Sequence, residues 1–359
     1  LTLKCVKQPP RNVGLFALGG ISIILNYDST MSTLGSERRR KLFNRYACNL
    51  NLLISQGVLK GIVKQFEDTY ICPICLDQFS IESLRQDSIN PLTLEDVPPK
   101  SLGGKANILT CRRCNNSCGH HIDVHLTCRM EELDNSKFIP GTSFNANVEH
   151  NGILVQAKII VDQYGKIEVR HAEKDNNPDR LTSFIDNIAP NDIINLIYRN
   201  KRTDLHKMQL ALLKIAFLLT FEKYGYAFIL DSVYNDIRRQ LLNPESPIYP
   251  VSFWFQQKFP KHMWGVPFVV EPQRESILPI FALSTNCSTR IFAALIPLPI
   301  AQSLGEVSNL PNRVRELSRS GIKIDPMGPN TDYLTNLDAI NKMMTWIDEL
   351  RNKKCGANN

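Results

Sequence analysis

Residues 72–123 read CPICLDQFSIESLRQDSINPLTLEDVPPKSLGGKANILTCRRCNNSCGHHID, and the fold turns on how this stretch is read. Two Cys-x-x-Cys pairs, Cys72/Cys75 and Cys111/Cys114, bracket most of it. Each pair has the spacing at which a tight turn presents two thiolates to one ion, which favours a closed tetrahedral zinc site over disulfides or unliganded thiols. A four-thiolate site holds structure and does no chemistry. Any chemistry must therefore lie in what the pairs enclose and in the residues just beyond them.

Leu92, Thr93 and Leu94 predict a strand with Glu95 and Asp96 at its end. Pro98 and Pro99 then break the ladder, because proline has no N–H to give. Gly103 and Gly104 permit a reversal, and Asn107 to Thr110 return as a second strand into Cys111. Beyond Cys114, the polar run Asn115-Asn116-Ser117 opens a short helix carrying His120, His121, Asp123 and His125. Strand, loop, strand and helix make a ββα unit, with carboxylates on the first strand and amides, imidazoles and a carboxylate on the helix.

In that order the residues resemble the HNH endonuclease superfamily, the ββα-metal nucleases, in the subgroup where two Cys-x-x-Cys pairs bind a supporting zinc. The family pattern is an acid followed by His, a Pro two or three residues on, a Gly-Gly turn, an Asn before the return strand, and Cys-x-x-Cys followed by Asn or His. This chain supplies Glu95, Pro98 or Pro99, Gly103-Gly104, Asn107 and Cys111-x-x-Cys114-Asn115. The resemblance implies metal-dependent hydrolysis of phosphodiester bonds, with DNA as the expected substrate and Mg2+, Mn2+ or Ni2+ as the catalytic ion. It implies Glu95 and Asn115 as ligands of that ion, Asn107 as a brace for the loop, and Asp96 at the position of the base. Asp123 falls in a Gly-x-x-Ile-Asp pattern associated with the subgroup, as a further ligand or as a helix-surface carboxylate. An ordinary aspartate titrates near 4 and a histidine near 6.5, so Asp96 departs from the pattern toward a weaker base. His121, with His120 and His125, is the alternative source of a base or ligand. Some proteins of this kind act in bacterial or phage defence. The competing expectation is a catalytically inactive zinc-knuckle protein that binds nucleic acid or a partner.

Local charge fits a phosphate-facing surface. Lys100, Lys105, Arg112, Arg113 and Arg129 oppose Glu95, Asp96 and Asp123, and a bound cation would tip the face further positive. Lys100, Lys105, Arg112 and Arg113 are the expected nucleic-acid contacts. Over the whole chain, 359 residues carry a formal net charge of +7 and 43% hydrophobic residues, enough for two or three cored domains and a mild preference for polyanions. No Gly-rich phosphate loop is present, which argues against an ATP-driven activity.

The expected class is α+β in three parts: an N-terminal arm and helix over 1–66, the zinc-supported ββα domain over 67–130, and a larger α+β domain over 131–359 that docks a partner or reads a trigger. Val13 to Tyr27 is apolar but short for a membrane span and lacks a cleavage site. A cytoplasmic chain without a membrane anchor is expected, with Met31 as an alternative start and residues 1–30 as an extension. Helices are predicted over 36–66, 179–188, 190–199, 204–224, 231–242 and 335–353, and a hairpin over 152–170 turning at Tyr164-Gly165. Strands are predicted over 251–255, 268–271, 277–283 and 289–298. Trp254 and Trp264 are expected to pack in the β core.

Overall fold

The computed structural model describes residues 28–171, 173–198, 203–249, 254–256, 258–270, 275–300, 324–325 and 330–356. Residues 1–27, including the apolar run from Val13, lie outside them. The chain is mixed α+β with small antiparallel sheets, and it divides into two units that do not follow the three-part reading. One holds residues 27–127, 204–283 and 289–359; the other holds 128–203 with 284–288. The long helix beginning at residue 205 thus belongs with the cysteine-rich finger.

In the finger unit, α1 (Asp28–Ser55) buries Phe43, Tyr46, Ala47, Leu50 and Leu53, one stripe at helical spacing. It ends well short of Phe66, at Gly57, whose φ of +69° stops the helix. The stripe packs on α5 (Leu205–Tyr224), with the Tyr46 and Phe221 rings stacked at 4.5 Å and Tyr70 edge-on to Tyr46 at 5.8 Å. Helix α5 starts at Asp204, whose side chain accepts the Lys207 N–H, and ends at Gly225. It is buried on nearly all sides from Met208 to Tyr224, and Lys214 lies in the middle of that apolar run. Against it pack α6 (Tyr226–Ile229) and α7 (Asn235–Leu242), and α8 (Leu337–Gly356) belongs to the same unit.

Two further sheets complete this unit: β9 (Trp254–Gln256) pairs with β13 (Thr289–Ala294), which pairs with β12 (Ile280–Ser284). In the other, β14 (Ile296–Pro297), β11 (Ser276–Ile277), β10 (Phe268–Val269) and β15 (Ile324–Asp325) lie side by side. The strand expected over 277–283 is two strands, because Pro279 cannot donate to a ladder.

The second unit is a four-stranded antiparallel sheet, ordered β7 (Ile167–His171), β6 (Ile153–Val161), β5 (Ser143–His150), β8 (Asn195–Ile197), with α4 (Pro178–Asp186) against one face. Phe144, Ala146, Val148, Val155, Ala157, Ile159, Leu181 and Phe184 form its core. The predicted hairpin is β6–β7. The helix expected over 190–199 is a turn followed by β8: Ile193, Ile194 and Ile197 are β-branched, and β5 offers an edge to pair with.

Candidate functional site

The first knuckle sits on a two-strand ribbon, β1 (Tyr70–Ile71) against β2 (Gln78–Phe79). Its Cys72–Leu76 turn closes with the Leu76 N–H donating to the Cys72 carbonyl. The Tyr70 hydroxyl donates to the Leu109 carbonyl at 2.6 Å, and the Tyr226 hydroxyl bonds both backbone groups of Ile71, so the ribbon is fixed to the core. The second knuckle comes from β4 (Lys105–Cys111) running directly into α2 (Arg112–Cys118), which puts Cys111 and Cys114 on one turn. Sulfurs of Cys72, Cys75, Cys111 and Cys114 all lie within 4.8 Å of one another, and Cys75 Sγ is 3.8 Å from Cys111 Sγ. A tetrahedron of thiolates about 2.3 Å from a central ion has edges near 3.8 Å, so the four can hold a metal ion such as zinc. Cys118 is buried outside this cluster, its thiol pushed up to about 12 by burial.

Strand β3 (Leu92–Val97) pairs with β4, and α2 follows, so the strand–loop–strand–helix order read from the sequence is present. The loop is tight: a Cβ at Gly104 would lie 1.4 Å from the Pro98 carbonyl oxygen, so only glycine fits. The pairing slips between Glu95 and Asp96. This bulge buries Glu95 at 2% exposure and leaves Asp96 partly open. Burial raises the Asp96 carboxyl, as does Glu95 beside it, while Lys100 and Arg38 oppose the shift.

The two acids expected to hold a catalytic ion do converge, but on a lysine. Lys214 Nζ lies 2.7 Å from Glu95 Oε1 and 2.6 Å from Asp123 Oδ2. Glu95 Oε2 also accepts the Thr110 hydroxyl at 2.8 Å. Asp123 reaches the lysine from a π-helical turn, Gly119–Asp123, which joins α2 to α3 (Val124–Ser136). Burial alone would lower the Lys214 ammonium, but the two carboxylates outweigh it and hold it above its ordinary range. Asp123 is pushed up by burial, which Lys214 only partly opposes. With both acids ionised, the triad keeps one excess negative charge. Its geometry suits a cation, and Lys214 supplies one.

The other expected site residues are placed as follows. Asn115 turns its amide inward, donating to Thr93 Oγ1 and to the Leu94 carbonyl, both at 3.0 Å, and so pins α2 to β3. Glu95, Asn115 and Asp123 therefore do not present a joint ligand set in this arrangement. Asn107 accepts from Arg38 Nη2 at 3.0 Å and donates to Glu222 Oε1 at 2.8 Å, tying the loop to α1 and α5. His120 and His121 are exposed, and His125 Nδ1 accepts the Asp204 backbone N–H at 3.1 Å, at the start of α5. Lys100, Lys105 and Arg113 are exposed; Arg113 pairs with Asp77 at 2.8 Å and Arg112 donates to the Gln86 carbonyl.

Sequence reasoning gave no site role to Lys214, Thr110 or Glu222. The signal for Lys214 was its setting in LALLKIAFLL, where a charge inside an apolar run demands a buried partner. No helix among the described residues is long and apolar enough to cross a membrane. Comparison with protein-family models, curated proteins and solved structures finds nothing that matches this chain.

Proposed function

We propose that the chain is an HNH-type endonuclease that hydrolyses phosphodiester bonds, with DNA as the substrate and the zinc-supported finger as the catalytic unit. The observation that carries this reading is the meeting of Glu95 and Asp123 on one cation position behind the bulge that brings Asp96 to the surface. Asp96 is the group that takes the proton from the attacking water, and Arg38 and Lys100, whose charges act on Asp96, hold the phosphate beside it. Asn107 keeps Arg38 in place. A divalent ion, Mg2+, Mn2+ or Ni2+, would supply charge stabilisation at the leaving oxygen. In this arrangement the acids that would ligate it are engaged by Lys214. The sheet unit of residues 128–203 is the proposed seat of a partner or trigger, which fits an effector role in defence.

A second reading is favoured by Lys214 itself. Its side chain is 2% exposed and fills the cation position. Together with aspartate at the base position, this describes a finger that grips nucleic acid without cutting it. Plasmid nicking with magnesium, manganese or nickel separates the two readings, run beside Asp96→Asn with zinc content measured. Cutting that Asp96→Asn abolishes, with zinc retained, supports the endonuclease. Salt-sensitive DNA binding with no cutting under any metal supports the binder. Absence of both binding and cutting sinks the nucleic-acid reading.

A further inference from the structure

The sheet unit has a polar cavity of its own, enclosing about 860 Å³, within the usual size range of binding sites. Its floor is the face of the sheet turned away from α4. Phe144, Ala146 and Val148 of β5 point into the core, so Asn145 and Asn147 between them point the other way. Asn147 lies opposite Gln156 on β6, and Asn145 opposite Lys158. From α3, Asn135 adds to the lining, its amide donating to the Tyr198 hydroxyl at 3.2 Å.

The charges around this cavity balance, which narrows the class of its occupant. Lys158 and Arg170 line it together with Glu131 and Asp175, and Arg170 is already paired with Glu168 at 2.9 Å. Residues 128–203 hold ten Lys or Arg against eleven Asp or Glu, in a chain whose net charge is +7. A polyanion therefore gains nothing from this unit. What the cavity offers is carboxamides. The side chains of Asn145, Asn147 and Gln156 make no hydrogen bond to any other group among the described residues, so each has two N–H donors and a carbonyl acceptor to give.

A carboxamide that donates to a peptide carbonyl and accepts from a peptide N–H satisfies one residue of main chain. Asn145 and Asn147 are two residues apart on a strand, so their amides repeat at about 6.6–6.8 Å. An extended peptide presents its N–H and C=O groups to one side at the same repeat. We propose that this face binds an extended, charge-balanced peptide segment of a partner protein, its main chain laid along β5 and held by Asn145 and Asn147, with Gln156 beside them. The inference gives a chemistry to the partner seat proposed for the sheet unit. It rests on that assignment and uses no residue of the finger.

The full chain is used to select binders from a displayed library of random dodecapeptides. Selected peptides are synthesised and titrated by fluorescence anisotropy against the parent, Asn145→Ala/Asn147→Ala and Gln156→Ala, once the melting curves of the variants match the parent. The double variant should bind about 10- to 1,000-fold more weakly, through the loss of up to four hydrogen bonds. N-methylation of the peptide at successive residues should weaken binding at alternate positions only, because every second N–H faces the amides. No selected peptide, equal binding by the parent and the double variant, or N-methylation without alternation overturns the proposal. Maltohexaose is titrated in parallel, and if it binds the parent and not the double variant while no peptide is selected, the face is a glycan site and the peptide assignment is wrong. Plasmid nicking by the same proteins keeps the failures apart: nicking without peptide binding leaves the nuclease reading standing, and peptide binding without nicking leaves this one standing.

Discussion

Replacing Lys214 with methionine tests the central triad. The substitution keeps the length of the side chain and its fit among the apolar faces of α5, but removes the only ammonium shown between Glu95 and Asp123. Removing one partner of a buried ion pair costs about 3–5 kcal/mol, because the remaining charge is left without compensation. Here one removal strands two carboxylates that already face each other, so the loss belongs at the top of that range. A domain of 150–250 residues shifts by about 2–4 °C per kcal/mol, so the melting temperature should fall by roughly 8–20 °C. The triple variant Glu95→Gln/Asp123→Asn/Lys214→Met removes all three charges together and should recover most of the loss, since neutral replacement of a whole buried ion cluster is often close to neutral. Differential scanning calorimetry with zinc content measured in parallel provides the assay. A second readout is manganese, which should raise the melting temperature of Lys214→Met and not that of the parent, because the two freed acids then make a divalent site. Lys214→Met melting within about 2 °C of the parent, or a triple variant no better than the single one, would refute the argument that these charges hold one another in place.

Three other perturbations probe neighbouring features. Zinc should bind the four cysteines, and Cys114→Ser or a strong chelator should abolish both that binding and the cooperative melting of the finger unit, because structural zinc commonly contributes about 10 kcal/mol or more to the fold that binds it; metal analysis with circular dichroism checks this. Gly104→Ala must displace the Pro98 backbone and should cost about 2–4 kcal/mol in urea unfolding, whereas Gly119→Ala, at helical backbone angles and with nothing within 4 Å of a Cβ, should stabilise by about 0.4–1 kcal/mol. Arg38→Ala should weaken DNA binding across sequences and reduce the slope of log affinity against log salt by about one, measured by anisotropy, whereas an unchanged slope removes Arg38 from the phosphate contacts.

The knuckles, the two strands with their glycine turn, and the helix after Cys114 were legible because each rests on local spacing: two thiols per turn, proline and glycine at a reversal, a strand feeding a helix. Helix α5 was legible from its apolar length, though its nearly all-round burial was not, since periodicity alone gives only an apolar face. What a local pattern does not carry is which distant charge meets which. Glu95 and Asp123 read as ligands for a metal because the resemblance places them there, while the cation they meet, Lys214, arrives on another helix. Asn107 likewise gains meaning only from Arg38 and Glu222. In the sheet unit, β5 was missed because Ala146 and His150 fill two of its inward positions and blur the alternation.

The lysine on α5 also sets a time order. Asp123 and Lys214 are 91 residues apart, and at synthesis rates of about 5–20 residues per second the finger waits roughly 5–20 seconds for its cation. All four cysteines are already made by then, so metal capture can come before the acids are neutralised. Until α5 arrives, the nascent finger has the four cysteines that can hold a metal ion but also two carboxylates that lack the cation with which they are buried.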